Sequence, residues 1–194
     1  MNNLSEYLEK IRISVTEIPK HNLLFFGCWV LDNLMLTCQT KLNLCLPSKD
    51  TILLKEILNY LWKCIDNELV VDKNKINTFY IKLSHINESN LDRTNVEEAA
   101  IYELIVGLDS LLMFCTNNIA GFEFNLAQSM INVIDTQLKG LGIDITTNEG
   151  FNNHFLHQEI HAQLNIITLS KSNKLNSHFK HAYRLNTKIN PIPI

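Results

Sequence analysis

Apolar residues recur at helical spacing along most of this chain, and the longest run lies near its middle. From Thr94 to Cys115 the sequence reads TNVEEAAIYELIVGLDSLLMFC. Ala100, Ile101, Leu104, Ile105, Leu108, Leu111, Leu112 and Cys115 recur with the helical period. Tyr102, Val106 and Met113 make the opposite side apolar as well, so the pattern predicts a helix buried between neighbours. Thr94 and Glu97 stand at the spacing of a capping box, which sets its start. At about 1.5 Å per residue such a helix spans roughly 30 Å, the width of a small domain. The rest of the chain is expected to pack around it.

The flanking segments repeat the pattern. Leu4, Leu8 and Ile11 predict an amphipathic helix over 4–16, closed by Pro19 or followed by a helix with Pro19 in its first turn. A second helix is expected over 20–41, and a third over 51–67, capped by Ser48 or Asp50. Residues 70–75 read as a loop. A shorter helix follows over 76–85, where β-branched and aromatic residues leave a strand as the alternative. Beyond the central helix come a helix over 121–138, with Gly140 at its left-handed C-cap, and a loop over 141–150 in which 143–146 could be extended. A last long helix covers 152–169. The fold expected is all-α, a single-domain bundle of about six or seven mostly antiparallel helices over residues 1–170. Residues 171–194 follow as a basic, partly mobile tail with one short helix around 176–183.

Composition adds limits. A 194-residue chain that is 46% hydrophobic buries roughly 70% of its unfolded surface and needs no disulfide or metal to hold a core. Its five cysteines form no C-x-x-C pair, and four sit in apolar runs, which predicts buried free thiols in a reducing compartment. The first residues lack a basic stretch followed by an apolar one, and the windows 23–35 and 104–114 are shorter than a membrane span and each broken by an Asp. The expectation is a cytoplasmic protein with no membrane contact.

Charge is uneven. No acidic residue follows Glu159, and Lys171, Lys174, Lys180, Arg184 and Lys188 make the tail basic. The remaining 12 basic and 20 acidic residues leave the first 170 residues at −8. That balance argues against nucleic acid as a partner and suits a cationic protein, although plain solubility accounts for it too.

Candidate chemistry is sparse. His154, His157 and His161 share one face of the last helix, at a spacing that could hold zinc or nickel with a fourth ligand from elsewhere. Histidines on a solvated face give the same pattern. Asp32, Asp109 and Asp135 sit within apolar runs, where a carboxylate needs a partner and where clustering would mark a site. Glu88, Asp92, Glu97, Glu98 and Glu103 form an acidic stretch at the start of the central helix. It either complements the helix dipole or receives a basic patch on another protein. Nucleophile elbows, phosphate-binding glycine loops and dinucleotide fingerprints are absent, so no catalytic residue and no cofactor is expected.

Several segments in order resemble the YjaG-like family of small helical bacterial proteins, whose function is unknown. Phe25-Phe26-Gly27-Cys28-Trp29 with Asp32-Asn33 stands where that family has F-A-A and an acid–base pair. Leu54 to Trp62, LKEILNYLW, is similar to its L-R-x-I-L-D-x-L-W segment, Ala99-Ala100-Ile101-Tyr102 to its alanine-containing central helix, and Glu159 with Gln163 to its E-x-x-x-Q pattern. The chain departs from the family at Asn33, where the family has Arg, and at Leu36-Thr37-Cys38, where it has P-N-Y. Similar helical domains occur as immunity proteins beside bacterial toxins. The resemblance therefore implies a non-enzymatic protein that binds and neutralises a cognate toxin, such as a nuclease, through its acidic stretch. The alternatives are a metal-binding protein or metal-dependent enzyme using the three histidines, and a helical homodimer of unknown ligand.

Overall fold

The computed structural model describes residues 3–117 and 122–183. Among these residues the chain is all-α, with no strand. In order the helices are α1 (Leu4–Val15), α2 (Lys20–Thr37), α3 (Leu42–Cys45), α4 (Ser48–Ile65), α5 (Lys73–Leu83), α6 (Val96–Asn117), α7 (Phe122–Gly140), α8 (Asn148–Phe151) and α9 (His154–Ser172), followed by a 3-10 turn at Ser177–Phe179. Helices α3 and α8 are single turns, so the bundle is carried by seven longer helices, as the periodicity predicts. The alternative of a strand over 76–85 is replaced by α5, whose Asp72 side chain accepts the Asn74 and Lys75 N–H groups and starts the helix early. Residues 184–194, the expected mobile end of the tail, lie outside the described residues.

Helix α6 is the hub. It packs most extensively on α7, α2 and α5. Ten of its 22 residues are buried, among them Ala100, Leu104, Leu108 and Leu112. It is also long and apolar enough to cross a membrane, at 22 residues with a mean hydropathy of 1.6 over an 18-residue window. The shorter window read from the sequence understates this. Its buried contacts on three neighbours are those of a core helix.

The α2–α6 crossing is built on two glycines. A Cβ at Gly27 would stand 2.5 Å from Leu111 Cδ2 of α6, and a Cβ at Gly107 would stand 2.4 Å from Leu31 Cδ2 of α2. Each helix thus seats a leucine of the other in a glycine notch. Leu126 of α7 closes both notches, 3.1 Å from the Gly27 position and 2.8 Å from the Gly107 position. Three helices therefore meet at close range around residues without side chains.

Helix ends differ from the sequence reading by up to four residues, and capping accounts for several of the differences. At α6 the cap is Asn95, whose Oδ1 accepts the Glu97 and Glu98 N–H groups at 3.1 and 3.2 Å. Thr94 instead donates its N–H and hydroxyl to Asp92 Oδ1. Helix α4 starts at Ser48 behind Pro47, without a side-chain cap, so neither Ser48 nor Asp50 caps it. At the end of α7, Gly140 stays helical, and Gly142 takes the left-handed position at φ 75°. Gly142 N–H then bonds Lys139 O, and Ile143 N–H bonds Leu138 O, the double closure of a Schellman turn. Ile143 supplies the apolar residue that such a turn packs inward.

Two buried polar ties hold outer segments to the bundle. Tyr7 of α1 donates its hydroxyl to Gln163 Oε1 of α9 at 2.7 Å, and Gln163 Nε2 donates to Ala127 O of α7 and to Glu159 Oε1. Asn22 of α2 donates to Ser170 O and Asn173 O and accepts from Leu175 N–H. Replacing Gly107 with Val should cost about 2–3 kcal/mol, because the added methyls enter a filled notch. Chemical denaturation of Gly107→Val, Leu31→Ala and the double variant checks this. The double variant should lose less than the two single losses together, since one change makes room for the other.

Candidate functional site

The acidic stretch is largely engaged within the fold. Glu97 accepts a hydrogen bond from the Thr40 hydroxyl. Glu98 lies 3.7 Å from Lys41 Nζ and accepts the Asp92 N–H at 2.9 Å. Asp92 accepts from Thr94, which holds its carboxyl below the usual range. Glu103 accepts from Asn132 of α7 at 2.9 Å. These contacts pin the turn after α2, the 84–95 connector and α7 to the start of α6, and Glu97 and Glu98 also face the positive end of its dipole.

The opposite side of α6 is not covered as expected. Val106 is 38% and Met113 39% exposed, and Tyr102, Asp109 and Ser110 are half-buried. Periodicity misses this because the wet strip is as apolar as the dry faces. Arg93 lies over the Tyr102 ring, with its guanidinium carbon 3.6 Å from the centroid. Asp109 sits between the apolar positions. Burial pushes its carboxyl above the ordinary value, and the nearby Glu88 carboxylate pushes it further. Tyr102, Val106 and Met113 thus form an apolar strip beside carboxylates at Glu88, Glu103 and Asp109, on the most firmly held helix. Apolar and aromatic contacts with a charged rim make up the anatomy of a protein-binding surface.

The three histidines do not converge. His154 and His161 are exposed. The His154 ring contacts Gln158 Nε2 at 2.6 Å, and His157 meets Phe151 and His161 edge-on at 5.5 and 6.1 Å between centroids. Among the described residues no group of three or more His, Cys, Asp or Glu side chains could hold a metal ion. The apolar-run carboxylates answer to different neighbours: Asp32 pairs with Lys180 at 2.8 Å and Asp135 with Lys139 at 2.5 Å, while Asp109 feels Glu88.

All five cysteines are free; Cys28 and Cys38 are buried and the other three half-buried. Burial pushes the Cys38 and Cys115 thiols up to about 12, and Cys28 well above its ordinary value, so these three are neutral at physiological pH.

The sequence reading missed the roles of Tyr7, Asn22 and Gln163. Gln163 had a signal only in the E-x-x-x-Q pattern it forms with Glu159, and Asn22, beside Lys20 and His21 at the start of its helix, had none. A comparison with family models, with curated proteins and with solved structures finds no match to the chain.

Asp109 gives a pH test. Its folded value is raised, so the folded state holds its proton to higher pH than the unfolded chain, and stability falls as pH rises through that window. Asp109→Asn should therefore be more stable than the parent at pH 7, with the gap closing once pH falls below the carboxylate range. Urea midpoints at pH 7 and pH 3 measure it.

Proposed function

We propose that this chain is a non-enzymatic protein-interaction domain, an immunity protein that binds and neutralises a cognate toxin acting in the cytoplasm. The observation that carries the reading is the outward strip of α6, where Tyr102, Val106 and Met113 lie beside Glu88, Glu103 and Asp109. Tyrosine and methionine supply contact area, and the carboxylates select a cationic partner and speed encounter. A desolvated carboxylate that weakens the fold at neutral pH belongs where a partner's cation would relieve it. The acidic body, at −8 over the first 170 residues, and the resemblance to YjaG-like proteins and their immunity relatives also support the reading. The acidic stretch at the start of α6 would contribute Glu88 and Glu103 to contact, with Asp92, Glu97 and Glu98 setting the frame.

A homodimer through the same strip is the second reading, since Val106 and Met113 are exposed on it. Twofold packing would bring Asp109 and Glu88 against their own copies, which disfavours it while they are ionised. Light scattering over a range of concentrations at pH 7 and pH 5 separates the two. A dimer of this kind should tighten at the lower pH.

The direct test is co-expression with the products of adjoining genes. A toxic product should be rescued by this chain and co-purify with it one to one. The Val106→Asp, Met113→Asp double variant should lose rescue while keeping the parent's helical content. If no adjoining product is toxic and none binds, or if the variant rescues fully, the reading is wrong.

A further inference from the structure

Residues 173–183, which follow α9, lie across α2 and α4 in a manner that resembles a bound peptide more than a packed element. Apart from the short turn at Ser177–Phe179 the segment has no regular structure. Three host side chains hold its backbone through four hydrogen bonds. Asn22 donates to Asn173 O at 2.5 Å and accepts Leu175 N–H at 3.2 Å; Asp66 accepts Ser177 N–H at 2.7 Å; Trp29 Nε1 donates to Ala182 O at 3.1 Å. Two of its side chains enter the host. Leu175 is 3% exposed in the core, and Lys180 reaches Asp32 at 2.8 Å with its ammonium 5.4 Å from the Trp62 ring centroid. Backbone bonds that supply affinity, with side-chain pockets that supply selectivity, are how domains read extended peptides.

The lysine site is demanding. Asp32 is a buried carboxylate on a helix that is otherwise apolar at this point. With no cation against it, the charge would be left desolvated and unpaired. Any occupant of the groove must therefore bring an ammonium or guanidinium, and a face of Trp62 beside the carboxylate favours it further.

The fit of the segment itself is incomplete. Trp62 Nε1 is buried and has no hydrogen-bond acceptor. A cleft of about 490 Å³ stays open beside the segment, lined by Asp66, Asn67, Lys174 and Asn176 among others. Its aromatics Phe179 and Tyr183 point outward, 37% and 47% exposed, and Tyr183 takes a left-handed φ of 61°.

We propose that residues 173–183 are a displaceable occupant, in cis, of a peptide-binding groove on α2 and α4, and that the groove accepts an extended segment of another protein carrying a leucine and, five residues on, a lysine. The incoming segment would set its lysine between Asp32 and Trp62 and its leucine where Leu175 sits. This goes beyond the α6 surface and does not depend on it, because the two lie on different helices and the test uses only sequence from this chain.

The test uses the full-length chain and a fluorescent synthetic peptide of residues 173–183. The Lys180→Ala chain, with its own strap weakened, should bind the peptide at least about ten-fold more tightly than the parent chain does. A peptide carrying Lys180→Ala should not bind, and adding Asp32→Asn to the Lys180→Ala chain should abolish binding. Equal binding to parent and variant chains, or binding indifferent to the lysine and to Asp32, overturns the proposal. Hydrogen exchange on the parent chain is a second measurement that needs no variant. Amides of 175–182 should open locally and exchange well before those of α2, whereas exchange at the same slow rate as α2 would show the strap to be a fixed part of the core and overturn the proposal.

Discussion

The α2–α6 crossing sets the geometry of everything else. Two helices can approach this closely only where one side offers no Cβ, and Gly27 and Gly107 provide that in both directions. The leucines they receive, Leu111 and Leu31, are locked by backbone on one side and by Leu126 on the other. Interior packing at this density tolerates little adjustment, so α7 takes its place from the same contact. A glycine in mid-helix costs about 1 kcal/mol of propensity relative to alanine. Here the close approach, and the burial of Leu31, Leu111 and Leu126 that comes with it, offsets that cost.

Around this centre, buried polar side chains decide how the outer segments attach. Tyr7, Gln163 and Glu159 join α1, α7 and α9, and Asn22 joins α2 to the chain leaving α9. Such bonds act in a low-dielectric interior, where an unmet partner is expensive, so they specify one arrangement and not merely a collapsed one. The thiols contribute in the opposite sense. Cys28, deeply buried, behaves as a small apolar residue.

Much of this architecture could be read from the chain because α1, α4 and α7 carry a clear 3.6-residue period, while α2 and α6 are apolar runs too long for strands. Their ends were less legible. A cap depends on which of several neighbouring polar residues wins, and Asn95 displaced Thr94 once Thr94 turned to Asp92. Gly142 displaced Gly140 because Ile143, not Leu141, packs inward behind it. The site was harder still. A run as uniformly apolar as Val96–Asn117 gives no sign of which strip stays wet, so Val106 and Met113 looked like core. Contacts between residues far apart in sequence, such as Lys180 with Asp32, leave no periodic trace at all. The histidines show the converse: good spacing on one helix means little unless another helix supplies the remaining ligands.

An outward strip on α6 can serve as a firm binding platform only if the helix beneath it does not open on its own. Native-state hydrogen exchange across residues 104–112, followed in low denaturant, measures this most directly. The notched crossing with α2 predicts that these amides exchange only through global unfolding, with a free energy and a denaturant dependence equal to those of the whole chain. Exchange through a smaller, denaturant-insensitive opening would contradict it, and would mean that the two glycines loosen the helix instead of locking it.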